Sequence, residues 1–109
     1  MKMTSPFLPK KNSVLLAPLA GVSDVPFRLA CQQGGADLSY VEMISATALI
    51  YRNARTLSML ARHQDETQLG VQITGRNSEE VAQAVDILND FPFETVDINM
   101  GCPVKKVVS

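Results

Sequence analysis

The loop around Cys102 places a thiol where it could do acid–base chemistry. Gly101 lets the backbone turn tightly before this cysteine, and Pro103 stiffens the chain after it. A thiol with an ordinary pKa of about 8.5 is mostly protonated at neutral pH, so Cys102 could donate a proton as a general acid. The positive charges of Lys105 and Lys106 would instead favour the thiolate. The alternative is that Cys102 is a small apolar residue packed under a loop.

Gln72 and Asn99 carry amide side chains in two otherwise largely apolar segments. A buried amide without a hydrogen bond costs about 1–3 kcal/mol, so each side chain needs a partner. An amide offers a donor and an acceptor side by side, which suits the edge of a heterocycle with alternating N–H and C=O groups. Asp97 lies two residues before Asn99 and therefore on the same face of an extended strand. The alternative is structural: neighbouring backbone satisfies Gln72, while Asp97 and Asn99 brace the loop that carries Cys102.

Two further positions follow apolar runs and could belong to a site. Glu42 could orient a substrate, or it could pair with an Arg to hold a loop. Pro18, Leu19 and Ala20 present backbone and small side chains, which would allow a flat aromatic cofactor to approach closely. A tight turn between a strand and a helix explains these three residues as well.

Four short apolar runs predict β-strands, and segments with helical periodicity lie between them. The first run, Val14–Ala17, has the continuous apolar pattern of a strand buried on both faces. Asp24 caps the first helix, a break near Asn53 divides the second helical segment, and Asn77 caps the last helix. The arginines of the second segment, Arg62 among them, are predicted to lie on a solvated face. The other predicted strands are Leu38–Val41, Leu69–Ile73 and Thr95–Asn99.

The alternation of strands and helices predicts parallel pairing through right-handed crossovers, and therefore an α/β fold. Ligands of such folds bind where the carboxyl ends of the strands meet, and the candidate residues follow those ends. Neither G-x-G-x-x-G nor G-x-x-x-x-G-K-[ST] is present, which argues against a Rossmann or P-loop site. A (β/α)₈ TIM barrel remains, and it needs about 250 residues. We therefore expect a truncated N-terminal half of a barrel, with residues 1–13 as an extension and 14–109 as the first four βα units.

The composition argues against several classes of protein. The 109 residues include 10 Lys or Arg and 11 Asp or Glu, so a net charge of −1 gives no overall basic field for nucleic acid. The longest apolar stretch, Val14–Val22, is interrupted by Pro18 and Gly21 and is too short to span a membrane. The N-terminus lacks the pattern of a signal peptide. Two cysteines, Cys31 and Cys102, are too few for a disulfide scaffold and too far apart in the sequence to bind a metal ion as a closely spaced pair. We therefore expect a cytoplasmic protein without a metal site.

Three segments together resemble the tRNA-dihydrouridine synthases, specifically their bacterial B-type branch. The segments are LAPLAGVSDVPFR (Leu16–Arg28), LGVQITG (Leu69–Gly75) and VDINMGCPVKKV (Val96–Val107), and they occur in the family's order and spacing. The resemblance extends from about Val14 to the last residue. Leu19 stands where the family usually has Met, and a role for the backbone at this position would survive that change.

The resemblance implies an FMN-dependent TIM barrel followed by a helical domain, in which NADPH reduces the flavin. A hydride then passes from reduced FMN to C6 of a uracil ring in tRNA, while a cysteine that corresponds to Cys102 protonates C5. The base must leave the tRNA stack to reach such a pocket. The residues that correspond to positions near the flavin are Pro18, Leu19, Ala20, Gln72 and Asn99, the last also near the target base.

The same resemblance implies that parts of the enzyme would lie beyond Ser109. They are the phosphate-binding loops after the last barrel strands and the helical domain that forms much of the tRNA-binding surface. We therefore expect the chain alone to bind FMN weakly or not at all and to have no synthase activity. The open sheet edges of a half-barrel would also permit self-association.

Two other functions are consistent with the sequence: an enzyme of the same fold with a different substrate, and a protein that is not an enzyme. One is an FMN barrel that acts on free pyrimidines, as dihydroorotate and dihydropyrimidine dehydrogenases do; the opening segment and the loop around Cys102 favour the tRNA enzyme. The other is a non-catalytic truncated half-barrel, which the length of the chain supports.

Overall fold

The β-strands form one parallel sheet, as the alternation of strands and helices predicts. The computed structural model describes residues 9–100 of the 109-residue chain. The α/β class and the partial-barrel architecture expected from the sequence are confirmed for this part. The strands are β1 (Leu15–Leu16), β2 (Leu38–Tyr40), β3 (Ile44–Ser45), β4 (Leu69–Thr74) and β5 (Thr95–Ile98). The helices are α1 (Val25–Gln33), α2 (Ala46–Ile50), α3 (Ala54–Met59) and α4 (Ser78–Leu88).

The second predicted strand is divided into β2 and β3. Tyr40 at the end of β2 pairs with Gly70, and Ile44 at the start of β3 pairs with Ile73 of the same strand β4. Three residues between Tyr40 and Ile44 therefore oppose two residues of β4, which is the arrangement of a β-bulge. The four expected strand positions are thus present as five segments, with the bulge near the carboxyl end of the second.

Strand β4 has one apolar face and one largely polar face because its side chains alternate. Leu69, Val71 and Ile73 are fully buried and share one hydrophobic core with Ala84 and Leu88 of α4. The positions between them face the other way and are occupied by Gly70, Gln72 and Thr74. The helices cover the apolar face of the sheet. The face turned away from them is the one that lines the interior of a TIM barrel.

Strand β1 is not the buried strand that its apolar sequence predicts. Val14 is 57% exposed and Leu15 is 46% exposed. Within the described part of the chain β1 pairs with β2 alone, so it lies at the edge of the sheet. An apolar run shows which side chains could be buried, but burial itself depends on neighbours on both sides.

The helix starts predicted at Asp24 and Asn77 are confirmed, and Asn53 adds a cap that the sequence did not predict. The side chains of Asp24, Asn53 and Asn77 each accept a hydrogen bond from a backbone amide in the first turn of α1, α3 and α4 respectively. Asn53 also marks the predicted break between α2 and α3, where Arg52 has a left-handed φ of 56°. The donating amides belong to Phe27, Thr56 and Glu80, at 3.0, 3.1 and 2.8 Å.

A buried ion pair joins α1 to the segment before β4. Arg28 is 3% exposed, and its Nε and Nη2 donate to the two carboxylate oxygens of Glu66 at 2.7 and 3.0 Å. Its Nη1 and Nη2 also donate to the carbonyls of Ser23 and Ala61 at 2.8 and 2.9 Å. Both charges are therefore paired and hydrogen-bonded, which is the condition for burying an arginine.

A second ion pair overturns the expected exposure of Arg62. Its Nη1 lies 3.0 Å from Oε1 of Glu94, and its side chain is 19% exposed. The same Glu94 oxygen accepts from the backbone amide of Leu69 at 2.7 Å, so this pair holds the start of β4 beside the start of β5. The sequence pattern misses the pair because the partners are 32 residues apart.

Replacement of Arg28 by Met should destabilise the fold strongly, because the Glu66 carboxylate would remain buried without its partner. The expected cost is about 3–5 kcal/mol in the free energy of unfolding, measured by urea denaturation at neutral pH. Arg55→Met, at an exposed position of α3, is the matched control and should change this free energy far less. Equal effects of the two substitutions would contradict the conclusion that the buried Glu66 carboxylate depends on Arg28 as its partner.

Acid should weaken the fold through Glu66. Burial raises the pKa of this carboxyl, but hydrogen bonds from Arg28 and the His63 amide, with the positive charges of Arg28 and Arg62, outweigh burial and lower the pKa below 4.5. A carboxyl with a lower pKa in the folded state stabilises the fold above its unfolded pKa and loses this contribution as the pH falls. The free energy of unfolding should therefore decrease between about pH 5 and pH 3, and the decrease should be shallower in Glu66→Gln. Parallel pH profiles of the two proteins would count against this explanation.

Candidate functional site

Three polar side chains meet on the helix-free face of the sheet, at the carboxyl ends of β4 and β5. Gln72 Nε2 donates to Asp97 Oδ2 at 2.7 Å, and Asn99 Nδ2 donates to Gln72 Oε1 at 3.1 Å. All three side chains are half-buried. We call Gln72, Asp97 and Asn99 the amide cluster. The two amides predicted from the sequence as site residues are thus in direct contact.

Asp97 determines which way the Gln72 amide points. A carboxylate can only accept hydrogen bonds, so Gln72 must turn its Nε2 toward Asp97 and its Oε1 toward Asn99. After these two hydrogen bonds, Gln72 retains one N–H and one oxygen lone pair. The amide cluster can therefore present a donor and an acceptor together to a heterocyclic ligand.

The β-bulge adds Met43 to the site. Asn99 Nδ2 lies 3.3 Å from the Sδ atom of Met43, which is one of the residues between β2 and β3. This contact joins the second strand position to the amide cluster on β4 and β5. Sequence reasoning missed Met43, because no residue pattern in the segment marks the extra residue of the bulge.

Tyr40 lies on the same face, above Gly70. A Cβ atom at Gly70 would come within 2.7 Å of the Tyr40 ring and 2.8 Å of Thr95 Cγ2, so the ring needs glycine at this position. Burial raises the pKa of Tyr40 above its ordinary value of 10.0, and the negative charge of Asp97 raises it further. The sequence analysis did not identify Tyr40, although a glycine inside a strand is a signal of close approach.

The predicted turn after β1 is held by side chains on both sides. The amide of Leu19 donates to Ser23 Oγ at 2.7 Å, and the amide of Gly21 donates to Glu42 Oε1 at 2.7 Å. Gly21 has a φ of 73°, a conformation that favours glycine. Of the alternatives for Glu42, the structure supports the one that holds a loop, through a backbone amide instead of an arginine.

The turn after β1 contains the three predicted residues Pro18, Leu19 and Ala20. Leu19 and Ala20 are exposed, and Pro18 is half-buried. The Glu42 hydrogen bond connects their turn to the second strand position. Cys102, the predicted acid, lies outside the described residues. In the described range 9–100, no group of three His, Cys, Asp or Glu side chains could hold a metal ion, and no helix is long and apolar enough to cross a membrane.

Asp97→Asn should lower the pKa of Tyr40, because it removes the nearby negative charge that disfavours the phenolate. The pKa should stay above 10.0, since burial is the larger cause of the shift. In a Tyr51→Phe background Tyr40 is the sole tyrosine, so its ionisation can be followed by ultraviolet absorbance during alkaline titration. Asp86→Asn, on the exposed side of α4, is the control and should leave the curve in place. An unchanged pKa in Asp97→Asn would contradict the assigned interaction.

Known proteins match almost the whole length of this chain. Residues 15–109 match the sequence model of the family described as Dihydrouridine synthase (Dus). The chain is 42% identical over 97 residues to the tRNA-dihydrouridine synthase B of Pasteurella multocida, which covers 89% of this chain and 29% of that protein. It is 38% identical over 114 residues to a tRNA-dihydrouridine(47) synthase [NAD(P)(+)]-like protein of Oryza sativa subsp. japonica, covering 98% of this chain and 17% of the relative.

A third relative shows the same extent of match. A probable tRNA-dihydrouridine synthase of Aquifex aeolicus is 39% identical over 100 residues, which are 91% of this chain and 31% of the relative. The chain thus spans less than a third of the length of these relatives. The matched residues include β1, the bulge, the amide cluster and Cys102. Together with the parallel α/β sheet, the match shows that the chain belongs to the dihydrouridine synthase family.

Proposed function

We propose that this chain forms the first half of the catalytic barrel of an enzyme that reduces uridine in tRNA to 5,6-dihydrouridine. Family membership and the names of the relatives support the reaction and the tRNA substrate. The structural observation that carries the proposal is the hydrogen bond between Asn99 and Gln72 at the carboxyl edge of the sheet. This contact places two amides side by side where the ligands of parallel α/β folds bind.

The chemistry of the described residues fits FMN as the cofactor. Gln72 has a free donor and a free acceptor, which suit the edge of a flavin ring. Asn99 would lie beside it, and the exposed turn of Pro18, Leu19 and Ala20 could support a flat ring from the end of β1. When bound and reduced by NADPH, FMN would supply the hydride for C6 of uracil. The name of the rice relative includes NAD(P)(+), which agrees with a nicotinamide reductant.

Cys102 is the residue we assign to protonation of C5 of uracil. It follows Asn99 of the amide cluster by three residues in the sequence. A neutral thiol can donate its proton to carbon as the hydride arrives, which is general acid catalysis. The role of Asn99 and Gln72 in this step is to orient the rings, and that of Asp97 is to keep the Gln72 amide in one orientation.

The substrate base would enter this site from a tRNA whose nucleotide is turned out of the stack. The near-neutral charge of the chain agrees with a division of labour in which other parts of the enzyme bind most of the RNA backbone. Residues 9–100 would then contribute mainly to base and cofactor recognition.

A chimaera tests the proposal directly: this chain replaces the matched segment of the Pasteurella multocida relative. The chimaera should purify with flavin and form dihydrouridine in unmodified tRNA, measured by mass spectrometry of digested RNA. Cys102→Ala should keep the flavin and lower turnover by about 10²–10⁴-fold, the usual effect of losing a general acid. Cys31→Ala, which removes the other cysteine, is the matched control and should retain turnover.

Two results would contradict the proposal. Undiminished turnover of Cys102→Ala on native tRNA would remove this cysteine from the mechanism. Reduction of free pyrimidines or oxidation of dihydroorotate, without reaction on tRNA, would instead assign the chain to the related flavin barrels that act on small molecules.

A further inference from the structure

The charges of the outer helices are segregated by sign, although those of the whole chain nearly cancel. Between Ile44 and Gln64, the segment that contains β3, α2 and α3, the sequence has three arginines and no Asp or Glu. Helix α4 with its two ends, residues 77–90, has four carboxylates and no Lys or Arg. Because α2 packs against α4, the two signs of charge lie on neighbouring helices. An anionic partner would be attracted to α2 and α3 and repelled from α4.

Within residues 9–100, two of these arginines have no carboxylate partner. Arg62 is paired with Glu94, whereas Arg52 and Arg55 are exposed and belong to none of the ion pairs of this range. They are three residues apart, on either side of the residue that caps α3. Tyr51, directly before Arg52, is 79% exposed. We call Tyr51, Arg52 and Arg55 the arginine–tyrosine patch.

The end of α2 has an arginine where glycine is usual. The amide of Arg52 donates to the Leu49 carbonyl and the amide of Asn53 donates to the Ala48 carbonyl, at 3.0 Å each. These two hydrogen bonds form a Schellman motif, whose left-handed residue is usually glycine. Arg52 occupies this position with a φ of 56°. Glycine would adopt the conformation more easily, so the helix end does not explain the arginine.

Arg55 is also at a position that does not favour its charge. It lies in the first turn of α3, which has no acidic residue. A positive charge there meets the positive end of the helix dipole, which is slightly unfavourable. The fold therefore gives no reason for the charge of either Arg52 or Arg55, whereas an anionic ligand would.

The tyrosine favours RNA with unpaired bases over other anionic partners. Proteins that bind single-stranded nucleic acids combine basic side chains, which bind the phosphates, with aromatic rings on which bases stack. The planar guanidinium groups of Arg52 and Arg55 suit phosphate oxygens. An acidic peptide would also pair with the two arginines, but its carboxylates would offer the exposed Tyr51 ring nothing to stack on.

We propose that the arginine–tyrosine patch binds an unpaired nucleotide of the RNA substrate, with the base on the Tyr51 ring and adjoining phosphates on Arg52 and Arg55. Tyr51 follows Ser45, at the end of β3, by six residues, or about 9 Å along the helix axis. The patch would therefore hold the RNA near the edge where the target base enters. The identity of the RNA as tRNA rests on the proposed function, whereas recognition of single-stranded RNA rests on the patch alone.

The test titrates the 109-residue chain with octa-adenylate at several salt concentrations and follows backbone amide shifts by NMR. The amides of Tyr51, Arg52 and Arg55 should shift. Tyr51→Ala should weaken binding about tenfold, within the loss usual for one stacked base, whereas Tyr51→Phe keeps the ring and should retain binding. Stacking releases no counterions, so Tyr51→Ala should leave the salt dependence of binding unchanged.

The two arginines should instead change the salt dependence. Each phosphate contact of a single strand contributes about 0.7 to the slope of log K against log salt, so Arg52→Gln and Arg55→Gln should each make the slope shallower by about 0.7. Lys11→Gln, which removes an exposed charge before β1, is the matched control and should leave the slope in place.

A further variant separates weaker binding from unfolding. Arg52→Gly should raise Tm, because glycine suits the left-handed conformation, and should still weaken binding as much as Arg52→Gln does. A lower Tm for Arg52→Gly would show that the arginine side chain serves the helix end, and would overturn its assignment to RNA.

Four other results would overturn the proposal. They are a salt slope that is the same in all variants, an affinity that Tyr51→Ala does not change, and amide shifts confined to residues outside the patch and its neighbours. The fourth is self-association of the chain that Tyr51→Ala abolishes while RNA binding stays unchanged, which would assign the patch to a protein contact.

The probe separates this proposal from the proposed function, because octa-adenylate contains no uridine and its binding needs no flavin. If the chimaera forms no dihydrouridine while octa-adenylate binds as expected, the proposed function fails and the RNA contact remains. In an active chimaera, Tyr51→Ala should raise KM for tRNA more than it lowers kcat. An unchanged KM would show that the patch does not contact the tRNA substrate.

Discussion

Parallel strands bring their carboxyl ends to one edge of the sheet, and along β4 every second side chain faces away from the helices. Leu69, Val71 and Ile73 fill the core on one side, which leaves Gln72 and Thr74 on the other. The core and the site are therefore two faces of one strand. A shift of one residue in the pairing of β4 would exchange these faces and expose the core, so the burial of three aliphatic side chains also fixes the orientation of the polar ones.

Within the candidate site, the carboxylate of Asp97 can only accept hydrogen bonds, and this affects more than its own contact with Gln72. It sets the direction of the Gln72 amide, and Gln72 in turn accepts from Asn99. The bulge brings Met43 to the same Asn99, while Glu42 beside it binds the turn after β1. Four strand positions are thus connected through side-chain hydrogen bonds at one edge. This connection brings residues that are distant in the sequence together at one edge of the sheet.

Two ion pairs hold the segments around the starts of β4 and β5, at the opposite end of the strands from the candidate site. Arg28 and Glu66 join α1 to the segment before β4, while Arg62 and Glu94 hold the starts of β4 and β5 together. Such pairs add little net stability compared with apolar packing, but they tolerate few other arrangements because each charge needs its partner.

The sequence by itself determined the features that depend on near neighbours: the caps at Asp24 and Asn77, the helix break near Asn53, the parallel α/β class, and the placement of Gln72 and Asn99 near strand ends. These follow from local hydrogen bonding and from hydrophobic periodicity, which a single chain displays directly. Only the tertiary structure decided the bulge, the exposure of β1, the pairing of Arg62 with Glu94 and the contact of Asn99 with Met43. Each depends on residues that approach one another from distant positions, and pairwise contact over such distances leaves no periodic mark in one sequence.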